Sequence, residues 1–218
     1  MLFHQNKIGF VHVPRTGGTS VEHALMKKYP QVVQLHANKF YDRPTINVRS
    51  VHTLKLPGGE LEYQKKHATY DELYESAKDY KFYATVRHPL RRLESMYRLL
   101  KWSQTDGTPW TTLEFNEWVY NLVENHTMME EQDILDSSMF HLTQSAMIGN
   151  AEWHKTEEGT IWKALDVEPR HDYKLVDKPI DAFGYTMSAG GHVYWSSESL
   201  EMIKSYYAED FDRFDYDM

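Results

Sequence analysis

Pro14-Arg-Thr-Gly-Gly-Thr-Ser20 follows an apolar run, Ile8, Phe10, Val11 and Val13, and leads into Val21-Glu-His-Ala-Leu-Met-Lys-Lys28. These residue types, in this order, suit the holding of an anion. Gly17 and Gly18 let the backbone curl without a Cβ penalty, and the amides of a helix starting here would point at a phosphate. Thr16, Thr19 and Ser20 add hydroxyl donors, while Arg15 adds a fixed positive charge with a planar fork of N–H groups. The alternative is a plain strand-to-helix turn in which glycine serves geometry only.

A second stretch, Phe82-Tyr-Ala-Thr-Val-Arg-His-Pro-Leu-Arg-Arg-Leu-Glu-Ser-Met-Tyr97, repeats the arrangement with Pro89 at the first helical position. Ligands of open α/β sheets bind outside the carboxyl ends of the strands, which is where Arg87 falls. Ser95 lies on the helix that follows, three residues after Arg92 and on the same face. Taken alone, Arg87 also suits a structural ion pair and Ser95 a solvent-facing position. Two strand-turn-helix anion sites together point to a nucleotide with phosphates at both ends.

This pair of motifs resembles the signature of sulfotransferases that use 3′-phosphoadenosine 5′-phosphosulfate, particularly the branch acting on carbohydrates. The resemblance implies that Arg15, Thr16, Gly17, Gly18, Thr19 and Ser20 hold the 5′-phosphosulfate, and that Arg87 and Ser95 hold the 3′-phosphate. It extends to Lys66-His-Ala-Thr-Tyr-Asp-Glu-Leu73, to Phe140-His-Leu-Thr-Gln-Ser-Ala-Met-Ile148 and to a closing helix that ends in Tyr207-Ala-Glu-Asp-Phe-Asp-Arg-Phe-Asp-Tyr216. Residues 151–195 carry no matching motif. Two positions depart from the family pattern. Arg15 replaces the usual lysine, keeping the charge but not its point-like reach. His88 replaces the usual aspartate; as a neutral imidazole it can still accept a hydrogen bond, but it brings no fixed negative charge to the helix start.

Sulfuryl transfer to a hydroxyl needs a base, and imidazole titrates near neutral pH. His67 ranks first as that base, since it stands at a predicted helix start close to where the carbohydrate-acting relatives carry a catalytic histidine. His52 ranks second, and a carboxylate such as Glu60 or Glu62 third. Arg15 would counter charge on the leaving phosphate. The resemblance implies adenosine 3′,5′-bisphosphate as the product, and Trp195 or Tyr194 is a candidate to stack on its adenine. None of the twelve histidines falls in a His-Glu-x-x-His pattern and there is no cysteine, so no metal site is expected.

The elements that must position these groups follow from pattern. Strands are predicted near 7–13, 31–36 and 80–87, and helices near 18–28, 69–78, 89–104, 111–124, 138–148 and 197–209. The alternation implies an α/β fold with a central parallel sheet flanked by helices, and the resemblance implies a P-loop-like three-layer arrangement shared with nucleotide kinases. Residues 40–66, with Pro44, Pro57, Gly58 and Gly59, read as a long loop over the active edge, and Thr105-Asp-Gly-Thr-Pro109 as a turn between helices. The chain of 218 residues is expected to form a single domain over 1–218.

Charge is unevenly spread. Residues 1–101 hold 17 Lys and Arg against 9 Asp and Glu, whereas residues 102–218 hold 7 against 23, together giving the net −8. The basic half contains both phosphate motifs, and the acidic half argues against a nucleic-acid partner. No run of about twenty apolar residues and no charged-then-apolar leader is present, so no membrane span is expected. The chain reads as cytoplasmic, from a bacterium or a virus of bacteria, acting on a hydroxyl-bearing acceptor, most plausibly a carbohydrate; its oligomeric state is not legible. Two other classes fit less well. A P-loop kinase needs a lysine before the final hydroxyl, which Pro14–Ser20 lacks, and a non-catalytic relative would bind the nucleotide without turnover.

Overall fold

A computed structural model describes residues 1–3, 6–29, 52–56, 59–63, 67–102, 113–124, 142–169 and 193–218. The expected strand at 31–36 and the turn at 105–109 lie outside these residues. The chain divides into two compact units: the first comprises Met1–Val86 with Gln144–Pro169, the second Arg87–Thr143 with Arg170–Met218.

The first unit is built on a four-stranded sheet in the order β1(Leu2–Phe3), β2(Ile8–Val11), β5(Lys81–Val86), β6(Glu152–Lys155). β2, β5 and β6 run parallel, as the alternation predicts, while β1 pairs antiparallel with β2 and makes the sheet mixed. Side chains alternate across the strands, so Phe10 and Tyr83, paired across β2 and β5, share one face. There they pack with Val21 and Leu25 of α1(Gly18–Lys28) and with Ile161 and Leu165 at α6(Ile161–Ala164). Phe82 looks to the other face and meets Tyr70 and Tyr74 of α2(Tyr70–Tyr74) at 5.1 and 6.2 Å between ring centroids. The result is helix, sheet and helix in three layers.

Residues 40–66 are not simply a loop. They contain an antiparallel pair, β3(His52–Leu56) and β4(Gly59–Tyr63), with Leu56 opposite Gly59. Thr53-Leu-Lys-Leu56 alternates as a half-buried strand should, a pattern that the surrounding Pro and Gly residues obscured. His52 therefore lies on β3, opposite Tyr63, and Glu60 and Glu62 lie on β4. The rest of the stretch is outside the described residues.

The second unit is helical in its described part. α3(Pro89–Trp102) presents Leu93, Met96, Tyr97 and Leu100, and α4(Phe115–Glu124) presents Phe115, Trp118, Val119 and Leu122. Each set follows the three-and-four spacing of one helix face. They close on Ile203 of α7(Ser197–Tyr206), on Tyr207 and on Phe211 of α8(Ala208–Arg213). Each fully buried large side chain contributes about 1.5–3 kcal/mol. The remaining helix, α5(Gln144–Ile148), belongs to the first unit.

Candidate active site

The stretch after β2 forms a tight loop that opens α1. Gly17 is the N-cap of α1 in the left-handed region, at φ 80°, and makes no side-chain cap hydrogen bond; the first turn carries no acidic residue. Such a helix start is suited to an anion from outside, because its amides and dipole face a site that no capping side chain fills. Arg15 is left-handed as well, at φ 67°. A non-glycine residue pays about 1–2 kcal/mol there, a cost typical of functional loops.

The loop is tied down by hydroxyls that point inward. Thr16, fully buried, donates from Oγ1 to the Val13 carbonyl at 2.9 Å. Its single proton is thereby used, so the 3.0 Å contact between the hydroxyls of Thr16 and Thr85 is a donation from Thr85. Thr156, just beyond β6, places its hydroxyl 2.6 Å from the Thr16 carbonyl and 2.9 Å from the Val86 carbonyl. Thr19 and Ser20, in the first turn of α1, are partly exposed.

His67 reaches the same place from another direction. Thr69 caps α2, accepting from the Glu72 amide at 3.3 Å while the Glu72 carboxylate accepts from the Thr69 amide at 2.8 Å. This reciprocal box fixes the chain's entry into the helix, and Ala68 and Leu73, both buried, occupy the two positions of the accompanying apolar staple. His67 sits two residues before the cap, with Nδ1 2.9 Å from the backbone oxygen of His12, at the mouth of the loop. A carbonyl only accepts, so Nδ1 carries the hydrogen and the lone pair of the neutral ring is on Nε2.

The second motif is described within its own unit. Arg87 and Ser95 are both partly exposed, Arg87 directly before the start of α3 and Ser95 in its second turn. His88 acts as the N-cap of α3: its carbonyl accepts from the Arg92 amide at 2.9 Å and its Nδ1 from the Leu90 amide at 3.3 Å. The accepting role expected of the replaced aspartate is kept by the neutral imidazole. Arg92 is buried, donates to the Leu142 carbonyl at 3.1 Å and lies over the Tyr207 ring. Trp195 donates to Glu94 at 3.1 Å and stands edge-on to Phe115, while Tyr194 is exposed.

Residues 1–217 match the family described as the Sulfotransferase family. The chain belongs to the sulfotransferase family. The match includes 151–195, where no motif was legible, and no curated protein or solved structure matches the chain. As a sulfotransferase it is a transferase of sulfuryl groups with an α/β fold. Within its first unit the structure brings the 15–20 loop together with His67; His52 and the Glu60–Glu62 pair lie on the separate β3–β4 ribbon.

Two neighbours of the candidate loop escaped the sequence reading. Thr156 follows a polar edge strand with no motif to mark it. His12 appeared to be one histidine in an apolar run, yet its Nδ1 stands 2.7 Å from the Glu22 carboxylate with both side chains 4% exposed. Among the described residues no helix is long and apolar enough to cross a membrane, and no group of three or more acidic or histidine side chains is placed to hold a metal ion.

Proposed function

We propose that the chain is one sulfotransferase domain over 1–218 that takes the sulfuryl group of 3′-phosphoadenosine 5′-phosphosulfate to a hydroxyl of a carbohydrate. The uncapped α1 start, the left-handed Gly17 and the basic half of the chain fit the 5′-phosphosulfate end of such a donor. When bound, the donor supplies the sulfuryl group and leaves as adenosine 3′,5′-bisphosphate. The amides of Gly17, Gly18 and Thr19 hold the 5′ phosphate, with the Thr19 and Ser20 hydroxyls beside them, while the Ser20 amide closes the turn on the Gly17 carbonyl at 3.0 Å. Thr16 keeps the loop in shape from below through its own buried hydroxyl. Arg15 counters the negative charge that grows on the leaving phosphate, and Arg87 with Ser95 holds the 3′-phosphate.

His67 accepts the acceptor's proton on Nε2. The observation that carries this reading is the hydrogen bond from His67 Nδ1 to the His12 carbonyl, which hangs the ring at the loop's mouth with its basic nitrogen on the opposite edge. A screen of sugar acceptors with radiolabelled donor tests it. Label should move to a carbohydrate hydroxyl, and His67→Ala should lower turnover by about 10²–10⁴-fold while leaving adenosine 3′,5′-bisphosphate binding nearly intact. Binding with no transfer to any acceptor would favour a non-catalytic relative, and full turnover in His67→Ala with loss in His52→Ala would move the base to β3.

A further inference from the structure

A buried ionisable pair is a poor investment for stability alone. Taking His12 and Glu22 out of water costs several kcal/mol per ion, and apolar residues of the same volume often serve a core as well or better. The pair at 2.7 Å in the first unit therefore calls for a role besides packing.

Its geometry supplies one. The Glu22 carboxylate stands 2.7 Å from Nδ1 at one edge of the His12 ring, an ion-pair contact without hydrogen-bond alignment that packs against the ring from that side. The other edge lies against Gly18: a Cβ there would stand 2.4 Å from Cδ2 and 2.7 Å from Nε2 of His12. The ring is thus the floor under the loop's second glycine. The same residue's carbonyl accepts from His67 Nδ1, and the two imidazoles meet edge to face at 4.7 Å between centroids. Glu22 itself rides on α1, whose first turn carries the loop amides.

We infer that His12, pinned by Glu22, is a positioning residue that joins the anion loop to the histidine base, supporting Gly18 with its ring and fixing the Nδ1–H form of His67 with its carbonyl. The inference rests on the reading of His67 as base. The His12 side chain touches no reacting atom in this account. It acts through Gly18, making the smallness of residue 18 a consequence of one buried pair, while the tautomer of residue 67 follows from the main-chain carbonyl of residue 12.

Nitrogen NMR of the histidine rings in the full chain tests this without an acceptor. Wild type should show neutral His67 protonated at Nδ1. Glu22→Gln, which keeps an oxygen beside His12 Nδ1, should preserve that signature. The double variant His12→Val/Glu22→Met roughly keeps the buried volume and removes both members of the pair; since residue 12 keeps its carbonyl, His67 should stay Nδ1–H, while Gly18→Ala, costly in wild type, should weaken adenosine 3′,5′-bisphosphate binding by no more than about threefold in this background. A Gly18→Ala change as costly in the double variant as in wild type would overturn the supporting role of the ring. The proton-accepting role of His67 fails by a separate result: unchanged turnover in His67→Ala removes the base, whatever the NMR signature, and the inference about its positioning goes with it.

Discussion

The two strand-to-helix junctions that carry the anion motifs solve the same problem in opposite ways. At the β2–α1 junction no side chain caps the helix, Gly17 and Arg15 are both left-handed, and the buried threonine hydroxyl turns away from the helix start. At the start of α3 the chain supplies its own cap, with Pro89 in the first position and His88 receiving the Leu90 amide. A junction that caps itself cannot offer the same amides to a ligand, so any anion held there must be held by side chains, Arg87 and Ser95. At the backbone-held positions of the first junction, Gly17 and Gly18, added bulk should therefore matter more than side-chain chemistry. The second should show the reverse.

The largest effect that would sharpen this contrast is at Gly18. Gly18→Ala drives a methyl into the pinned His12 ring, and overpacking of that kind costs about 1–3 kcal/mol, so adenosine 3′,5′-bisphosphate affinity measured by calorimetry should fall on the order of 100-fold at the upper end. Arg87→Ala comes next. Loss of one charge-assisted contact should weaken the same nucleotide roughly tenfold, and adenosine 5′-phosphate hardly at all. His88→Ala removes the cap and the ring's packing on Phe211 and Tyr216: urea unfolding should show at least about 1 kcal/mol less stability while nucleotide affinity stays within about threefold. If His88→Ala instead abolishes binding, the second junction is not self-capped and the contrast collapses.

The smallest effect lies in the first unit, away from both junctions. The Lys81 ammonium, 2.8 Å from Glu152, holds that carboxyl below the usual value of 4.5. Because the folded value is depressed, the pair stabilises above about pH 4.5 and its contribution is lost as pH falls through the folded value. Both groups are well exposed, so the effect is small. Lys81→Met should be slightly less stable than wild type at pH 7, and the difference should close in acid; a difference that widens there would reverse the assignment.

What the sequence disclosed follows from how local each signal is. The 8–28 strand, loop and helix and the helices near 69–78, 89–104 and 111–124 are written in local pattern, and helices are observed there as α2, α3 and α4; the Thr69–Glu72 capping box is as local but went unread. β6 was hidden because Glu152-Trp-His-Lys155 is a polar edge strand that buries little. Thr156 and the His12–Glu22 pair were hidden because their meaning is a contact made in space: the threonine meets a carbonyl 140 residues away in sequence. The left-handed Arg15 could not be foreseen either, since arginine carries no preference for that conformation. Of the site residues, those joined by sequence spacing were legible, and those joined only by the fold were not.

The central claim is that this sulfotransferase uses a nucleotide phosphorylated at both ends, one end on backbone amides and the other on Arg87 and Ser95. Calorimetry with adenosine 3′,5′-bisphosphate and with adenosine 5′-phosphate tests it most directly. The account predicts that the bisphosphate binds roughly tenfold or more tightly, and that Arg87→Ala erases the difference. Equal affinities in the wild-type protein, or a preference for ATP with magnesium, would contradict it.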